Sequence, residues 1–222
     1  MDSKRGRDQV IALVAAHGAL TDAVVAAARL MTAEGHRNFA EHLDFHRAEL
    51  NVAIGEVGLW AESFGKWTPV DVGPAIRPSA IEAPVRPGRV EFGRELLVAR
   101  ERVKSRRADL LGEMTNTRLV LGAAGFPVDE LSTYRRLVRL WAGEALDLVT
   151  CVHRLTLADR YIHRFGQLGA DSERNAEARR TGAALLRQWM EELEEADREG
   201  ELVLAEACGY GHIVECYRSG VG

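Results

Sequence analysis

The chain has little from which to build a covalent or metal-stapled frame. Its three cysteines, Cys151, Cys208 and Cys216, are an odd number with no C-x-x-C spacing. That usage speaks against a disulfide framework and suits buried thiols in a reducing compartment, so the cytoplasm is the expected location. Lysine is almost missing: Lys4, Lys66 and Lys104 stand beside 26 arginines. The bland source of that bias is a GC-rich genome, and the functional one is bidentate contact with carboxylate or phosphate. Proline is scarce and lopsided, with five of six residues between Pro69 and Pro87 and the last at Pro127. A net charge of −4 over 222 residues gives no global pull toward nucleic acid. Uninterrupted apolar runs fall short of the roughly 20 residues that cross a bilayer, so no membrane contact is expected. Met1–Val10 has no apolar stretch behind its charges, so no secretory leader is expected either. P-loop, G-x-G-x-x-G, G-x-S-x-G and H-E-x-x-H patterns are absent, which removes nucleotide-driven and common hydrolase chemistry.

What is present is helical. Hydrophobic residues make up 46 % and charged residues 28 %, ordinary values for a globular chain. Between the Gly and Pro breaks lie long segments rich in Ala, Leu, Arg and Glu, and none alternates with period two. The spacing predicts an all-α, elongated bundle in one domain spanning 1–222. It comprises a short helix at 5–17, long helices near 21–64, 90–124, 129–167 and 172–217, and a Pro-rich strap at 65–89. The third long segment carries Leu131, Tyr134, Val138, Trp141, Ala145, Leu148, Val152, Leu155, Asp159 and Ile162 at alternating spacings of three and four, a heptad seam with one polar interruption. The fourth carries Leu186, Met190, Leu193, Asp197, Gly200, Leu204, Ala207, Gly211 and Val214. The second starts a seam at Phe92, Leu96, Ala99, Val103 and Leu110 and then drifts through Leu111, Met114 and Leu121. Gly125 with Pro127 reads as a stop, Asp129 as the next cap, Gly169 as another stop, and Asp171 or Ser172 as the cap after it. The long strap leaves the direction of the first long helix open.

Candidate chemistry is sparse. His42, His46 and Glu49 stand at H-x3-H-x2-E, a spacing that puts imidazoles four apart on one helix, where they can share a transition metal. The Glu-x-x-His pair of a di-iron bundle does not occur. If the first long helix runs antiparallel to the second, His46 comes level with Glu113, Glu144 and Asp197, which form with it either a structural polar layer or a metal site. Cys208, His212 and Cys216 are four apart in turn, but the ends of that row lie about 12 Å apart along a helix, too far for one ion. Arg37-x4-His42 is similar to the arginine-to-histidine spacing of some helical ribonuclease domains, a two-residue pattern that Arg-rich chains reach by chance. Asp159 and His163 make an ordinary i,i+4 pair.

Residues 8–47 also admit a helix-turn-helix: one helix at Gln9–Ala16, a break at Gly18, a cap at Thr21, a turn near Leu30–Thr32, then a reading helix offering His36, Arg37, Asn38 and Glu41. Its acids, Glu34, Glu41 and Asp44, match phosphates poorly. Long single-stripe helices invite intermolecular packing. The expected function is therefore a non-enzymatic interaction or scaffold protein that meets a protein partner or its own copies. A metal-binding bundle centred on His42, His46 and Glu49 and a DNA-binding regulator are the alternatives.

Overall fold

The computed structural model describes residues 3–33, 37–39, 41–43, 50, 52–55, 89–123, 128–169 and 175–220. These residues form an all-α fold, with no strand among them. In chain order the helices are α1 (Ser3–Ala33), α2 (Arg89–Ala123), α3 (Asp129–Gln167), α4 (Ala176–Glu191), α5 (Glu195–Ala205) and α6 (Gly211–Arg218), with a π-helical turn at Glu206–Tyr210 between the last two. The chain groups into two compact units, residues 1–151 and 152–222, and the boundary falls inside α3. The strap at 65–88 lies outside the described residues, as does much of the expected helix at 21–64 beyond residue 33.

In the first unit, α1 and α2 pair closely. Gln9 near the start of α1 donates to Glu113 late in α2 at 2.7 Å, while Leu30 near the end of α1 shares a groove with Arg94 and Val98 early in α2. The two helices therefore run antiparallel. Along α1 the buried residues Val10, Leu13, His17, Leu20, Val24, Ala27 and Met31 recur every three or four positions. That row passes straight through the expected break at Gly18, and α1 is one helix from Ser3 to Ala33. A glycine inside a helix costs only about 1 kcal/mol relative to alanine, less than the apolar burial that continues on both sides of it. The helix-turn-helix reading loses both of its turns in consequence, because residues 18 and 30–32 are helical. His36 lies outside the described residues. Arg5–Thr32 is long and apolar enough to cross a membrane by length and composition, with half of its most apolar 18-residue window buried inside the fold. His17 and Asp22 interrupt its apolar runs, which is why run length alone gave the opposite expectation.

The seam of α2 is more regular than its sequence suggests. Phe92, Leu96, Ala99, Val103, Leu110, Met114, Thr117 and Leu121 are all buried. Thr117 keeps the row unbroken because its hydroxyl donates to the Glu113 carbonyl at 2.7 Å, which satisfies it without water. In α3 the outcome is reversed. Its first-unit half buries Leu131, Tyr134, Val138, Trp141, Ala145 and Val149. Trp141 donates its indole N–H to the Leu43 carbonyl at 2.7 Å. In the second-unit half Val152 of the expected seam is still buried, but the row then runs through His153, Leu157, Ala158, Tyr161 and Phe165, and Leu155 of the expected seam is half exposed. A straight α-helix drifts about 20° per heptad, so a strict seven-residue seam walks off the core face. Asp159, the supposed polar interruption, consequently lies on the exposed face.

The second unit breaks the expected 172–217 helix in two places. α4 starts later than the expected Asp171 or Ser172 cap. Its cap is Asn175, whose side-chain oxygen accepts from the Glu177 and Ala178 N–H groups. The chain leaves helical geometry at Glu192–Glu194, and Gly209, at φ +91°, turns it again within the π segment. That φ lies in the left-handed region open to glycine at little cost. The second turn lets α6 fold back onto α4, where Ile213 packs directly over Gly182. Trp189 is buried between Tyr161, stacked at 5.6 Å between centroids, and Phe165. The Gly169 stop stands as expected, at φ +78° two residues beyond α3.

Candidate functional site

Two recesses in the first unit are lined by arginine. One is the groove between α1 and α2, about 540 Å³ in volume. Arg94, Val98 and Arg102 stand four apart along α2 and so share one helix face; Arg29 and Leu30 of α1 stand opposite. The floor is apolar and open to solvent: Val98 is 56 % exposed and its neighbour Leu97 39 %. Three arginines line it, with Glu95 the one acid among the described lining residues. The second recess, about 160 Å³, lies between the C-terminal part of α2 and the first turns of α3. Arg118, Arg135, Arg136 and Arg139 line it with Ser132, Met114 and Leu131, and among the described residues no acid does. Among the described residues, none of these seven arginines makes an ion pair or a hydrogen bond. Residues 1–151 hold 20 basic and 20 acidic side chains, so the two recesses reflect placement, not an excess of cations.

The residues singled out from sequence fare unevenly. His42 and Glu144 do meet, with Nε2 and Oε2 3.7 Å apart, the histidine exposed and the glutamate half-buried. Glu113 is engaged by Gln9, and Asp197 accepts from Arg154 at 3.0 Å in the second unit. His46 and Glu49 lie outside the described residues. Among the described residues no three His, Cys, Asp or Glu side chains converge on a point where an ion would sit. Arg37 pairs with Glu41 one turn on, at 3.7 Å. Cys151 and Cys208 are exposed and Cys216 is half-buried, against the expectation of buried thiols. At Cys208 the π turn swings residues 206–209 outward.

Sequence reasoning missed the arginine recesses. The signals were there, in the scarcity of lysine and in the Arg135-Arg136-x-x-Arg139 and Arg94-x3-Val98-x3-Arg102 spacings, but nothing marked these arginines apart from the rest. Buried polar contacts were equally hidden. His17 Nδ1 and the Tyr134 hydroxyl are 2.7 Å apart inside the first unit, and burial pushes the Tyr134 phenol far above its ordinary value. In the second unit, burial raises Tyr161 as well, and its hydrogen bond to Glu192 at 2.6 Å adds to the effect.

Comparison with known proteins adds no relative: no family model, no curated protein and no solved structure matches the chain.

Proposed function

We propose that this chain is a non-enzymatic helical interaction protein, and that it docks an acidic, amphipathic partner helix in the groove between α1 and α2. One observation carries the reading: an exposed apolar floor at Leu30 and Val98, rimmed by Arg29, Arg94 and Arg102 with no acid engaged among the described residues. An amphipathic helix laid in such a groove sets apolar side chains at i and i+4 onto the floor. Its flanking carboxylates then meet the guanidiniums in forked, charge-assisted hydrogen bonds. Apolar burial supplies most of the affinity, and the charges fix orientation and speed association. The floor is small, so micromolar affinity, about −8 kcal/mol, is the scale to expect.

Fluorescence anisotropy with a labelled synthetic amphipathic peptide, leucine on one face and glutamate along both flanks, tests the reading against a twin peptide carrying lysine in place of glutamate. The glutamate peptide binds, weakens with added salt, and loses at least tenfold on Val98→Asp or on Arg94→Glu with Arg102→Glu. Equal affinity for the two peptides, or indifference to Val98→Asp, rejects it. Sedimentation of the chain alone covers the other occupant: a dimer dispersed by Val98→Asp replaces the foreign helix with a second copy.

A further inference from the structure

We infer that α6 is an exchangeable arm: straightening the chain at Gly209 carries it out of its own fold and into the same seat on a second copy of this chain. Tyr210, Ile213, Val214 and Tyr217 recur at spacings of three and four and so form one apolar stripe. All four pack on the core of the second unit, with Ile213 and Val214 fully buried. The seat is built by α4 and α3. Ile213 enters the gap over Gly182, where a Cβ would meet its Cδ1 at 2.6 Å. Tyr210 tilts against Phe165 with 5.2 Å between centroids. That is a helix laid in a groove by its i, i+3, i+4 and i+7 side chains. The groove is shaped for this stripe, and another copy of the chain is the source of a second one.

The connection between α5 and α6 has two geometries open to it. In the folded chain Glu206–Tyr210 is π-helical, and Gly209 leaves helical geometry at φ +91°. Glu206, Ala207, Cys208 and Gly209 are all exposed, so no burial fixes their path. Their sequence also suits an unbroken helix. The row Leu204, Ala207, Gly211 and Val214 crosses the turn at helical spacing, and no proline stands between Glu195 and Arg218. Straightened, α5 and α6 become one helix from Glu195 to Arg218, and the apolar stripe of α6 is bare. The α4 groove of a second copy then offers it the contacts it left, which is the exchange of an identical element between protomers. Arg218 finds there the Glu199 that it holds in the single chain. Only the Arg218–Glu206 pair, which spans the hinge, is given up, and an exposed pair contributes little. With the docked contacts otherwise conserved, the hinge backbone and the protein concentration set the balance between monomer and exchanged dimer. The arm lies within residues 152–222 and is independent of the α1–α2 groove.

Sedimentation equilibrium over a concentration series, on the full chain and two glycine variants, tests the inference. A Cβ at Gly209 or at Gly211 meets nothing within 4 Å, so neither substitution clashes. Alanine favours helix at both, but Gly209 has positive φ whereas Gly211 is already helical at φ −53°. Gly209→Ala therefore penalises the closed turn alone and raises the dimer association constant at least tenfold. Gly211→Ala changes it less than twofold. Cysteine pairing then locates the contact, in chains that also carry Cys151→Ser, Cys208→Ser and Cys216→Ser. A Gly182→Cys chain mixed with an Ile213→Cys chain forms a covalent dimer under oxidised glutathione. An Arg180→Cys chain, altered on the exposed face of α4, does not cross-link to the same partner. With Gly209 intact the cross-link forms at high protein concentration, so the test stands even where Gly209→Ala unfolds the chain. A Gly209→Ala chain that melts lower yet stays monomeric overturns the inference. So does a dimer whose mixed chains fail to cross-link, or one that Val98→Asp disperses, which belongs to the α1–α2 groove.

Discussion

Arginine is used in opposite ways in the two units. In residues 152–222 it ties the chain to itself. Arg154 of α3 reaches Glu201 at 2.7 Å and Asp197 at 3.0 Å, both on α5. Arg160 of α3 pairs with Glu192, and Arg218 of α6 holds Glu199 and Glu206. These contacts join helices that carry few apolar residues each. In residues 1–151 the arginine pairs Arg37–Glu41 and Arg106–Asp109 stay within one turn of helix, and the groove arginines engage no described acid. Among its described residues the first unit is held by long helices with continuous apolar rows. A unit built from short helices spends its guanidiniums on cohesion, whereas long seams leave them for something else to bind.

That contrast breaks most visibly at Arg154. Its removal strands Glu201, only 4 % exposed, as a carboxylate without its partner. Breaking such a pair costs about 3 kcal/mol, whereas Arg139→Ala in the first unit stays within about 0.5 kcal/mol. Native-state hydrogen exchange read on peptides from α3 to α5 measures the first change, and on peptides from α2 and early α3 the second. Comparable losses at both sites would erase the distinction between the units.

Glycine sharpens it next, since one substitution is expected to have opposite signs. A Cβ at Gly182 would come within 2.6 Å of Ile213 Cδ1 and 2.9 Å of Cγ1, so Gly182→Ala overpacks α4 against α6 and destabilises by about 2 kcal/mol. Nothing lies within 4 Å of a Cβ built at Gly18, so Gly18→Ala stabilises α1 by about 0.7 kcal/mol. Urea midpoints of the two variants against the parent give the signs directly.

The smaller effect is in pH. Tyr134 and Tyr161 hold their protons more tightly in the folded chain than the ordinary value of 10.0. Below about pH 10 both folded and unfolded phenols are neutral, and the stabilisation is whole. As pH rises further the unfolded chain releases its protons first and stability falls, by up to about 1.4 kcal/mol per phenol for each pH unit. Tyr134→Phe flattens that alkaline loss in the first unit, and Tyr161→Phe does so less in the second, where the Arg160 guanidinium beside the ring opposes the rise. Urea midpoints between pH 8 and 11 record the slopes, and unchanged slopes in both variants would assign the loss to other groups.

Helix content and several boundaries were legible from local chemistry. α3 begins at Asp129, and it ends just before Gly169 because a left-handed glycine acts within a few residues of itself. Which residues on a helix face inward was less legible. Thr117 reads as polar yet is buried, because its hydroxyl bonds its own backbone. Leu155 and Asp159 read as seam yet lie outward, because a straight helix departs from a heptad after a few turns. The break at Glu192–Glu194 was hidden in a run of helix-forming glutamates, where nothing local stops a helix.

The sequence by itself determined that the described chain is all-α and set the ends of α3, since propensity and a left-handed glycine operate at short range. Tertiary structure alone decided that α1 runs unbroken through Gly18, because burial on both flanks outweighs a glycine. It alone decided that His42 meets Glu144, and that Arg118 of α2 gathers with Arg135, Arg136 and Arg139 of α3 around one recess. Such groupings depend on how helices distant in sequence are brought side by side, and no spacing within a single helix encodes that.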